Sequence, residues 1–144
     1  MGKVRQPRLT HSMRPEPRST RATAVLAGWA GDETTARRLL LHDDAPTRAA
    51  ALGALERLQA LTAQDLLEAY RDRSPEVRRR AVRISAAWED PSTIPTSLLD
   101  DADTTVAEEA AFVLGERVDA GDAEVTALCE MARHHDDALC REAA

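Results

Sequence analysis

From residue 20 onward the chain repeats one arrangement of apolar and polar positions. The stretches "TRAAALGAL" from Thr47, "VRRRAVRIS" from Val77, "VAEEAAFVL" from Val106 and "LCREAA" from Leu139 align at spacings of 30, 29 and 33 residues. In each copy the anchor is followed four residues later by an alanine: Ala51, Ala81, Ala110 and Ala143. That interval puts both on one helical face, where a small side chain lets a neighbouring helix come close. Before each anchor stands a turn of acids and breakers, at 42–46, 72–75, 100–104 and 134–138. Asp and Ser suit the cap of the helix that follows, and Pro suits its first turn.

A second helix is expected after each first one, marked by Leu39 and Leu40, Leu66 and Leu67, Leu98 and Leu99, and Leu128. At 100° per residue Val77, Ala81, Ile84 and Trp88 fall within about 60° of one another, an amphipathic stripe that makes Trp88 a core residue. Four helix pairs follow, at about 20–43, 45–72, 75–101 and 104–134. The weakest segment is 91–101, where Pro91 and Pro95 leave room for barely two turns. The pattern predicts an all-α solenoid of antiparallel helix pairs, wound as a right-handed superhelix.

Composition supports that architecture. The apolar residues are mostly Ala, Leu and Val, with one Phe, one Tyr and two Trp, so the core must come from many small helix contacts. The net charge of −6 hides an asymmetry: residues 1–21 carry six basic groups and one acid, or +5, and residues 22–144 carry thirteen and twenty-four, or −11. Arg5, Arg8, Arg14 and Arg18 alternate with Pro7, Pro15 and Pro17, a mixture that buries no apolar surface. Residues 1–19 are expected to be a disordered basic arm, and 20–144 the repeat domain with its last repeat incomplete. Cys129 and Cys140 suggest neither a disulfide framework nor a zinc site and favour a reducing, cytoplasmic setting. No apolar run reaches a membrane span, and no apolar leader follows the basic N-terminus.

The spacing of Asp72 and Arg78, with the V-R-x-x-A of Val77, Arg78 and Ala81, resembles the HEAT-like repeats named after phycobilin lyase subunits. The likeness covers residues 20–144. It implies a ladder in which a turn Asp and the Arg six residues on bond between adjacent repeats: Asp72 and Arg78 match, Arg48 follows His42, Asp101 faces Ala107, and Cys140 replaces the last Arg. Such repeats serve lyases, chaperone-like subunits, regulators and DNA-repair proteins, so the family fixes fold more than task. Eighteen Arg against one Lys suggest a GC-rich genome, and with the resemblance a bacterial source is expected.

Candidate chemistry is sparse. His42 with Asp43, and His134 with His135 and Asp136, sit in equivalent turns three repeats apart, and read as solvated capping turns rather than a metal site. No Ser or Cys has a neighbouring His to activate it, no glycine-rich phosphate loop is present, and neither enzyme nor cofactor is expected. The cluster from Arg71 to Arg83 is the one marked departure from an acidic body. It suggests intramolecular pairing with Glu76 and turn acids, an acidic protein partner, or nucleic acid, with the body's −11 opposing phosphate. Arg79 and Arg83 point outward on the wheel. Phe112 lies about 240° around from Val106 and is equivalent to Arg83, which predicts one exposed ridge. The expected function is noncatalytic protein binding or scaffolding, with nucleic-acid binding or a lyase-like or chaperone-like accessory role as alternatives. Leu139 and Ala143 are read as core positions of a frayed first helix whose second helix is missing, the mark of a longer repeat protein.

Overall fold

A computed structural model describes residues 19–88, 94–117 and 120–144; the expected arm up to Arg18 and Pro91 lie outside these residues. Ser19, placed by sequence at the arm's end, caps α1 (Thr20–Ala30) by accepting from the Ala22 N–H at 3.2 Å. The elements that follow are α2 (Glu33–Leu39), α3 (Ala45–Arg57), α4 (Ala63–Ala69), α5 (Pro75–Ser85), a 3-10 segment (Thr96–Asp100), α6 (Thr104–Gly115), α7 (Asp122–His134) and α8 (Ala138–Ala143). α1 packs on α2 and α6 on α7, while α2, α4 and the 3-10 segment also lie against the first helix that follows them, α3, α5 and α6 respectively. First helices stack in chain order, α1 on α3, α3 on α5, α5 on α6 and α6 on α8, which makes an all-helical solenoid.

The turns and caps set this repeat. Asp44, Ser74, Asp103 and Asp137 are the N-caps of α3, α5, α6 and α8, and the three aspartates accept backbone N–H bonds that the first turn would otherwise leave open. Pro46 and Pro75 fall in first turns, where no N–H is needed. Three residues after each cap comes a buried side chain, Thr47, Val77, Val106 or Cys140. Thr47 is polar yet fully buried, and its hydroxyl donates to Asp44 at 2.6 Å.

The last copy corrects the sequence register by one residue. Leu139 is exposed and Cys140 is buried, so Cys140 rather than Leu139 is the fourth anchor. Its thiol sits 3.4 Å from the Thr104 carbonyl oxygen and packs α8 on α6.

Leu52, Leu55, Leu66, Ile84 and Leu114 form the larger buried side chains, and alanines at Ala24, Ala36, Ala51, Ala81 and Ala110 have no exposed surface at all. The alanines bring the helices close enough for those leucines to interdigitate. Gly28 serves the same purpose between α1 and α3, since a Cβ there would stand 2.9 Å from the Ala54 Cα. Trp88 is partly buried against this core. The leucine pairs bury Leu39, Leu66, Leu98 and Leu99, whereas Leu67 is exposed. Among the described residues between α5 and α6 the chain makes a five-residue 3-10 segment, with Pro95 immediately before it.

Candidate functional site

Two arginine–carboxylate rungs join successive repeats. Arg48 on α3 donates from Nε and Nη2 to Asp72 at 2.8 and 2.7 Å, and from Nη1 to the carbonyls of His42 and Asp43. Arg78 on α5 donates likewise to Asp101 at 2.7 Å twice, and to the Asp72 carbonyl. The planar guanidinium fits a carboxylate edge-on while its remaining nitrogen closes the turn behind it. Burial alone would push the Asp72 and Asp101 carboxyls up; the guanidinium bonds and backbone N–H groups outweigh it and hold both below the ordinary carboxylate range.

Where a rung is missing, both of its halves are changed. Ala107 stands at the arginine position of α6, and His135 at the carboxylate position it would meet. The histidine keeps only the local task. Its Nδ1 accepts the Asp137 N–H at 3.1 Å, and the Nδ1 of His42 accepts that of Asp44 at 3.0 Å, as Asp72 accepts from Ser74 and Asp101 from Asp103. Among the described residues no group of three or more His, Cys, Asp or Glu is arranged to hold a metal. Arg141, not Cys140, occupies the arginine position of α8, and its Nη1 donates to the carbonyls of His135 and Asp136.

On the outer side of the first helices runs a shallow groove of about 520 Å³. Its floor is the small-residue face of α3, at Ala49, Ala50, Gly53 and Ala54. Arg21 and Arg57 border it toward α1, and Arg79, Arg80 and Arg83 toward α5, against Glu76 and Asp103. A Cβ at Gly53 would stand 2.5 Å from the Arg80 Nη2 and make that flexible side chain shift from its path across α3, along which it reaches Glu56 at 3.2 Å. The groove has an aromatic residue near each end. Trp29, 69% exposed, has the Arg57 guanidinium 3.9 Å from its ring centroid. Phe112, 59% exposed, lines a second depression that shares Arg79 and Thr105 with the first.

Arg79 and Arg83 are on the surface, as the helical wheel places them, but their carboxylate is Glu109 on α6 and not Glu76. Glu109 accepts from Arg79 Nε at 3.0 Å and from Arg83 Nε and Nη2 at 3.0 and 2.5 Å. The Arg83 bonds, against the opposing effect of burial and with help from Arg79, hold its carboxyl below the usual range. Sequence reasoning missed Glu109, Trp29, Arg57 and Arg141. Counting from the caps would have found Arg141, because it follows Asp137 by the interval that separates Arg48 from Asp44 and Arg78 from Ser74. The others depend on contacts between helices that one repeat does not show.

Stacked helix pairs tied by turn rungs define the chain as a helical-repeat solenoid. The family model for HEAT repeats matches residues 63–144, more than half of the sequence, and the chain belongs to the HEAT repeat family. The match begins after α3, yet the Arg48–Asp72 rung extends the same geometry upstream of it. No curated protein matches the chain. No helix among the described residues is long and apolar enough to cross a membrane. HEAT repeats in general mediate protein–protein interaction or scaffolding.

Proposed function

We propose that this protein is a noncatalytic binding module whose first-helix groove holds an acidic, partly apolar segment of a protein partner. The observation that carries this reading is the continuous surface from Trp29 to Phe112, with arginines along both borders and an exposed aromatic near each end. The small floor residues give an extended or helical segment room to lie close, the guanidiniums recognise carboxylates, and the rings supply apolar contact. The rest of the domain is strongly acidic, so charge confines such a partner to this strip. A reducing cytoplasmic setting suits the free thiols of Cys129 and Cys140.

The test is binding of a fluorescein-labelled peptide of alternating Glu and Leu, followed by anisotropy. Arg57→Glu should weaken it about tenfold, equivalent to ~1.4 kcal/mol, and added salt should weaken the parent complex. Phe112→Ala should cost roughly fivefold in affinity while changing stability by less than ~1 kcal/mol, as an exposed side chain allows. Peptide binding indifferent to Arg57→Glu would exclude the groove. Tight binding of duplex DNA in place of the peptide would instead favour the nucleic-acid alternative.

A further inference from the structure

Building on that reading of the groove, we infer that Glu109 is an internal competitor for the partner: its carboxylate occupies Arg79 and Arg83 in the free protein and gives way when a partner carboxylate binds beside Phe112. Two cations share this one anion. Arg79 donates to Glu109 through Nε alone, and Arg83 through Nε and Nη2. Their side chains remain 46% and 53% exposed, so guanidinium edges still face solvent. Glu109 stands one helical turn before Phe112, and Arg79, Glu109 and Phe112 line the same depression. An incoming carboxylate there meets Arg79 and the aromatic ring together, beside Glu108 and with Glu109 as the group it displaces.

The ladder rungs show what a fixed pair looks like in the same molecule. Arg48 and Arg78 are nearly buried and bound in two-pronged fashion, and each is anchored by Nη1 to turn carbonyls. Arg83 also meets Glu109 in two-pronged fashion, but the guanidiniums of this cluster are half exposed and, unlike those of the rungs, bond no turn carbonyl among the described residues. The half-exposed guanidiniums are within reach of salt and of a competing carboxylate, whereas Glu109 is 15% exposed, so a partner carboxylate must also offset the cost of releasing it. The position also reverses charge along the repeat: Glu109 follows Val106 by the interval that separates Arg80 from Val77. The domain thus supplies its own carboxylate where the groove's positive border ends.

The experiment uses the labelled Glu/Leu peptide and the full chain. Glu109→Gln keeps an acceptor oxygen and helix propensity but removes the charge, and should tighten binding roughly three- to tenfold, with a steeper salt dependence. Glu109→Asp, one methylene shorter, should fall between parent and Gln variant, which guards against a folding artefact in either one. Adding Arg83→Gln to Glu109→Gln should remove the gain. If the parent binds and Arg57→Glu weakens it, but Glu109→Gln binds no tighter, Glu109 is not a competitor and the groove reading stands. If neither the parent nor Glu109→Gln binds the peptide, the groove reading itself fails.

Discussion

Asp101→Ala is expected to destabilise the domain by about 3 kcal/mol, measured by urea unfolding, because it leaves the nearly buried Arg78 guanidinium without its carboxylate. Asp72→Ala should act similarly through Arg48. Arg141→Gln should change stability by less than ~0.5 kcal/mol, since Arg141 is exposed and has no carboxylate partner among the described residues. The same rungs predict acid sensitivity. The folded carboxyls titrate below their unfolded value, so their contribution is fully present above about pH 5. It is lost as pH falls below ~4 and through the folded values, because the unfolded chain takes up protons first. Asp101→Ala should flatten that acid-side decline; an unchanged pH profile would show that the rungs contribute little.

Installing the missing rung should show strong coupling. Ala107→Arg alone places a guanidinium at a fully buried position opposite His135 and should destabilise by about 3 kcal/mol. His135→Asp alone keeps the turn acceptor for the Asp137 N–H and should cost less than ~1 kcal/mol. Together they recreate the arrangement of Arg78 and Asp101, and the double variant should recover at least ~2 kcal/mol relative to the sum of the singles. Additive losses in the double-mutant cycle would mean that the α6–α8 step differs in geometry from the steps before it.

The fold was legible because its determinants are local and recur. Turn acids, a buried anchor three residues after the cap, and an alanine four residues later can be read from one strand of text. The register error at the end arose from aligning Leu139 by the alanine four residues later, Ala143, when the cap at Asp137 decides which side chain faces α6. Helical-wheel geometry placed Phe112, Arg79 and Arg83 on the surface, but it describes one helix at a time. The Glu109 pairing, the stacking of Arg57 on Trp29 and the accommodation of Arg80 by Gly53 each require two neighbouring helices at a fixed distance. For that reason the ridge expected from Arg79, Arg83 and Phe112 became, in three dimensions, the border of a longer groove whose floor is α3.

Backbone amide shifts recorded during titration of the isotopically labelled protein with the Glu/Leu peptide map the binding surface without any substitution. Perturbations should follow the first-helix strip, at Val25, Ala50, Gly53, Arg57, Arg79 and Phe112, and spare Leu41, Leu67 and His134 on the second-helix side. Shifts concentrated on the second-helix side, or none at all at millimolar peptide, would contradict the assignment of the groove as the binding surface.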